Sequence, residues 1–154
     1  MVTDKMGLLF EELGKRLNLQ INPDPKGCCR IRFKNGVEVQ LEPSSDARFL
    51  TLLSNMGDMA PGRYRENVLR EALKANGQTP PLYGIFAFSK KNDAFYLFDQ
   101  IPLEEISGDK LFDYLQPFLQ KAEIWQSAIS RGEVPSYSGN EASFGRSGGM
   151  FGLK

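Results

Sequence analysis

Residues 83–98, YGIFAFSKKNDAFYLF, constrain the fold more than any other stretch of the chain. Six of the seventeen aromatic residues fall in these sixteen positions: Tyr83, Phe86, Phe88, Phe95, Tyr96 and Phe98. Ile85, Ala87 and Leu97 fill the gaps between them, and residues 90–93 supply a turn. Side chains of a strand alternate between two faces, so a hairpin built from these residues is apolar on both. Such a hairpin needs cover twice over, from helices of its own chain or from a second polypeptide.

The rest of the chain shows how little helix is available for that task. Thr3 or Asp4 can cap a first helix, in which Met6, Leu9, Phe10, Leu13 and Leu17 recur at three- and four-residue steps. NPDPKG breaks it, and CCRIRFKNGVEVQLE follows with period two. A two-residue Asn-Gly turn would set Phe33 opposite Glu38 and mix oil with charge on one face. A three-residue loop, Lys34-Asn35-Gly36, instead pairs Phe33 with Val37, Ile31 with Val39 and Cys29 with Leu41. It also sets Arg32 against Glu38 on the wet face and requires a left-handed Gly36.

FLTLLSNM reads as a third strand, apolar on both sides. A second helix over about 63–75 carries Tyr64, Val68, Ala72 and Ala75 on one stripe, with Leu69 and Leu73 beside it; Asn76-Gly77 stops it. After the aromatic hairpin, Ser107 caps a third helix with Leu111, Leu115, Phe118, Leu119, Ala122 and Trp125 inward. Pro117 inside that helix is expected to kink or divide it. The order is α-β-β-β-α-β-β-α, an α+β domain with a mainly antiparallel, twisted five-stranded sheet. Residues 1–131 read as the domain and 132–154, rich in Gly and Ser, as a flexible tail.

Chemistry is harder to find than apolar surface. There is no histidine, which removes Ser-His-Asp and Cys-His catalysis and histidine metal ligation together. Cys28 and Cys29 are adjacent, bridge only with strain, and read as reduced thiols of a cytosolic protein. No phosphate-cradling glycine loop or metal-spaced cluster occurs, and Glu11-Glu12 and Glu104-Glu105 read as solvated charge. Lys plus Arg equal Asp plus Glu at 19 each, which argues against a nucleic-acid partner. No window is apolar enough for membrane insertion, and the N-terminus lacks the pattern of a signal peptide. The expectation is a protein without catalytic residues, cofactor or metal.

Two readings remain. A dimeric binding module would cover the exposed sheet with a second copy of the chain or with an extended peptide. The alternative is a small ligand-sensing domain or enzyme with an aromatic-lined pocket. Apolar surface in excess of catalytic equipment favours the first, and the chain has a telling succession of elements, with VLREALKANGQ in the second helix and LFDYLQPFLQKAEIW in the third. Over about residues 3–130 it resembles the class I type III secretion chaperones, the Tir-chaperone (CesT-like) family.

That resemblance implies a homodimeric bacterial cytoplasmic chaperone that works without ATP hydrolysis. It would bind the N-terminal chaperone-binding region of type III secreted effector proteins, keep it extended, and deliver it to secretion-apparatus components. It places effector binding at Phe10, Leu13, Leu17, Ile31, Phe33 and Val39. The dimer interface falls at Tyr64, Val68, Tyr83, Ile85 and Ala87. The chain departs from the family in its formal neutrality, since members are usually acidic, in Pro117, and in its Phe-Gly-containing tail.

Overall fold

The computed structural model describes residues 2–136. Three α-helices and five strands follow one another as α1 (Val2–Leu17), β1 (Cys29–Arg32), β2 (Glu38–Pro43), β3 (Phe49–Asn55), α2 (Arg63–Asn76), β4 (Ile85–Ser89), β5 (Ala94–Pro102) and α3 (Gly108–Ser130). A short 3-10 turn, Leu103–Glu105, joins β5 to α3 and buries Leu103. The strands make one sheet in the order β1-β2-β3-β5-β4, antiparallel throughout. The α+β architecture expected from the sequence is the one observed.

The face pattern decides the register of the first hairpin. Cys29 stands opposite Leu41, Ile31 opposite Val39 and Arg32 opposite Glu38. The Phe33 amide donates to Val37 O at 2.9 Å, and Gly36 closes the loop at φ 90°. A one-residue slip would have sent this apolar row into water.

All five strands send one row inward: Ile31, Val39, Leu41, Leu50, Leu52, Phe86, Phe95 and Leu97 are each no more than 5% exposed. Two helices cover that face. α1 contributes Met6, Leu9, Phe10 and Leu13, and α3 contributes Leu111, Leu115, Phe118, Ala122 and Trp125. Trp125 is fully buried, with its ring centroid 4.1 Å from that of Phe86 and 6.3 Å from that of Phe95. Removing a ring packed this way costs roughly 3–5 kcal/mol. Its Nε1 has no hydrogen-bond partner among the described residues, so its contribution is apolar packing and ring contact.

α1 and α3 meet at Gly108. A Cβ there would lie 2.2 Å from Cβ of Glu12, so only glycine permits the approach. The Glu12 carboxylate then accepts from the Gly108 amide at 2.8 Å, serving the positive end of α3. Arg16 adds an ion pair to Asp109 at 2.9 Å and lies over the Phe112 ring. Glu12 is therefore an interhelical contact and not the solvated charge its neighbour Glu11 suggests.

Two further expectations change. α1 begins at Val2, which puts Thr3 and Asp4 inside the helix and not at its cap. α3 is not divided at Pro117. Proline removes a single i→i−4 bond, and Asp113, whose carbonyl loses its partner, lies on the exposed side where water can serve it. Ser107 does cap α3, its Oγ accepting from the Lys110 amide at 3.2 Å.

Past α3 the chain stays on the body for a few residues: Tyr64 Oη donates to Glu133 O at 2.7 Å, and Pro135 is buried. The remainder of the expected tail, from residue 137 on, lies outside the described residues. No helix is long and apolar enough to cross a membrane among the described residues.

Candidate partner-binding surfaces

The opposite face of the sheet has no helix over it among the described residues. Its register aligns Arg30, Gln40, Leu53, Phe98 and Ile85 in one row across all five strands. A second row runs Asn55, Tyr96, Ala87 at the far end. Every one of these side chains is exposed or half-buried. The face is charged on β1 and β2 and becomes apolar toward β5 and β4, where Ile85 is 38% exposed. The aromatic hairpin is thus divided. Phe86, Phe95 and Leu97 lie under α3, while Ile85, Ala87, Tyr96 and Phe98 have no roof.

α2 does not roof this face either; it lies along the β4 edge. Asn76, its last residue, donates through Nδ2 to Phe86 O and accepts the Phe86 amide at Oδ1, both at 2.9 Å. One amide side chain here replaces a neighbouring strand and satisfies two backbone groups at the sheet edge. Arg65 ties the start of the helix to the hairpin turn, pairing with Asp93 at 3.0 Å and lying over the Phe88 ring. The buried side of α2 is Val68, Ala72 and Ala75, whereas Leu73 is 72% exposed and Leu69 is half-buried.

Of the five residues expected at a dimer interface, the structure places Ile85 and Ala87 side by side on the open face. Tyr83 is also at the surface, but its ring turns toward α3 and meets Tyr114 at 5.5 Å between centroids. Tyr64 is half-buried and Val68 is fully buried on the inner side of α2. Leu53, Tyr96 and Phe98 share the open face with Ile85 and Ala87, although the sequence did not single them out as surface residues. Period two identifies Tyr96 and Phe98 as sharing a face, but only the β3–β5 pairing reveals that Leu53 joins them.

The six residues expected to bind an effector sit deeper. Leu13 and Val39 are fully buried, and Phe10 and Ile31 are no more than 5% exposed. Leu17 and Phe33 are partly buried against the same core. Phe10 also borders an open concavity of about 740 Å³ beside α1, lined by Gly7, Gly14, Lys15, Leu19 and Ile21 among others. Gly14 makes this shape possible, since a Cβ there would lie 2.6 Å from Leu19 O where the chain folds back under the helix. Leu8 and Leu19 are exposed nearby in sequence, 56% and 42% respectively.

Chemical groups at these surfaces are sparse. Burial, with the neighbouring Cys28 and then Asp24 adding to it, pushes the Cys29 thiol up to about 12. No cluster of three or more potential metal-ligating side chains occurs among the described residues. What the arrangement offers is apolar area and unpaired strand edge.

The sequence matches the model of the Tir chaperone protein (CesT) family over residues 9–126. The chain belongs to the Tir chaperone (CesT) family. Among solved structures, the fold resembles the Yersinia pestis type III secretion chaperone SycH, crystallised with a stable fragment of YscM2. The two share 22% identity at a TM-score of 0.59, covering 78% of this chain and 98% of that one. The HopA1–SchA chaperone–effector complex is similar at 19% identity and a TM-score of 0.64, covering 80% and 94%. The ExoU–SpcU complex of the Pseudomonas aeruginosa type III secretion system matches at 16% and 0.60, covering 82% and 98%. Comparison with curated sequences finds no match. These likenesses show that the helix–sheet arrangement described above is a fold shared with solved type III secretion chaperones.

Proposed function

We infer that the protein is a bacterial cytoplasmic chaperone that binds the N-terminal region of type III secreted effectors and presents it, extended, to the secretion apparatus. The observation that carries this reading is the uncovered sheet in a chain of this family. One end of that face is apolar, and one helix stands at its edge.

Binding of this kind needs no ATP. Burying about 400 Å² of apolar effector surface is worth roughly 10 kcal/mol before the cost of ordering the peptide is subtracted. The concavity beside α1, which Phe10 borders, and the half-buried Leu17 and Phe33 form the effector site, with Leu13, Ile31 and Val39 in the core. β1, the sheet edge opposite β4, has one strand neighbour among the described residues. It can accept an added strand that sets the peptide's register. The apolar end of the open face, at Ile85 and Ala87, packs against a second copy of the chain.

The test is purification from the native cell followed by identification of what accompanies the protein. The expected companion is a secreted polypeptide whose contact maps to its N-terminal region. Phe33→Asp should weaken its capture at least tenfold while leaving the oligomeric state unchanged. A retained small molecule with no polypeptide would instead support the ligand-sensing alternative.

A further inference from the structure

Among the described residues, one charged side chain is buried without an ion pair. Lys121, on α3, is 9% exposed. Its Nζ donates to Leu82 O at 3.0 Å and to Gly84 O at 2.8 Å, and lies 5.1 Å from the centre of the Phe86 ring. Burial pushes its ammonium group down to about 8, against a smaller opposing pull from the Asp99 carboxylate. An apolar side chain of similar length would avoid that desolvation, and buried charges are weak contributors to stability. What the ammonium offers and a methionine does not is direction.

The two carbonyls belong to the elbow that leads from α2 into β4. Tyr83 and Gly84 both take positive φ, 54° and 115°, and the first of these is unfavourable for any residue with a side chain. At Gly84 a Cβ would come 2.8 Å from the Leu97 side chain, so the elbow presses directly onto β5. About two helical turns before Lys121, Tyr114 packs on the Tyr83 ring, and its hydroxyl donates to the Asp99 carboxylate. α3 therefore holds the elbow at two points, the ring of residue 83 and the carbonyls on either side of it. The next residues in the chain are Ile85 and Ala87, which face outward on the open end of the sheet.

We propose that Lys121 is a positioning residue for the partner-binding strand: from the core side it fixes the Leu82–Gly84 elbow, and with it the place at which β4 presents Ile85 and Ala87 to a second protomer. The proposal rests on the dimeric reading above for its consequence, and on the two hydrogen bonds for its mechanism. A strand already held in place loses less conformational freedom on association, which is how a residue outside the contact can set its strength.

Lys121→Met tests it in the full-length protein. The expected result is a folded protein whose dimer dissociation constant, from sedimentation equilibrium, rises at least tenfold. Amide exchange at residues 82–87 should quicken at least tenfold while β1–β3 stay as protected as in the wild type. Lys121→Gln, which keeps a donor within reach of one carbonyl, should fall between the two and recovers the test if the methionine variant does not fold. Unchanged exchange at 82–87 overturns the proposal, as does loss of folding in both variants, which would make Lys121 a residue of general stability. A wild type that sediments as a monomer defeats the dimeric reading alone; faster exchange at the elbow in Lys121→Met would still uphold its anchoring.

Discussion

At the scale of single residues, several side chains do work that their local sequence does not announce. Asn76 is legible as a helix stop, yet its amide also closes the backbone edge at Phe86, ten residues on. Glu12 sits in an acidic pair on the polar side of α1, yet it serves the amide at the start of α3, 96 residues away. The adjacent cysteines, identical in type, are separated by strand alternation: Cys29 points into the core and Cys28 is half-exposed. Because the thiolate is the reactive species, a Cys29 thiol pushed up to about 12 is almost wholly protonated at pH 8. Cys28 is raised too, by its lesser burial and then by Asp24 and Glu42, but it can be reached from solvent. Ellman's reagent should therefore label one thiol of the native protein, with the second reacting at least tenfold more slowly until urea is added. Equal rates for both in the native protein would contradict the placement of Cys29.

At the scale of elements, the first hairpin was fully legible and the third helix was not. The hairpin is local: its loop, its register and its wet face are all contained in residues 29–41, so alternation and turn chemistry agree. In α3, Pro117 was expected to kink or divide the helix, and the apolar stripe that continues from Leu111 to Trp125 keeps it undivided. That stripe buries several large side chains against the sheet and outweighs one missing hydrogen bond. Pro117 should then be a tolerated penalty. Pro117→Ala is expected to raise stability by about 1–3 kcal/mol in urea unfolding followed by Trp125 fluorescence. A loss of stability would mean that the proline ring itself is an important packing element.

At the scale of the whole molecule, the decisive feature is an imbalance between one sheet and three helices. Two helices cover the inner face and the third lies at an edge, so the outer face has no cover of its own chain among the described residues. Ile85 lies on that face and is 38% exposed in the protomer, so a charge there need not disturb the fold. Ile85→Asp should give a folded monomer at concentrations where the wild type is dimeric, with unchanged circular dichroism and at least a hundredfold weaker association by sedimentation. A dimer of wild-type affinity would rule out this face as the seam. The excess of apolar hairpin surface was visible in the sequence, but its division into core and open face depends on where α3 and α2 come to rest.

The sequence by itself determined the order and type of the eight principal elements, the first hairpin's register and the inward stripes of α1, α2 and α3. Each of these follows from periodicity within a few turns or strands, where neighbours in sequence are neighbours in space. The strand order β1-β2-β3-β5-β4, the open outer face, the burial of Leu13 and Val39 and the Lys121 contact to the elbow were decided only by the tertiary structure. These depend on contacts between segments far apart in the chain, where many pairings satisfy the same local pattern and only the packed core selects one.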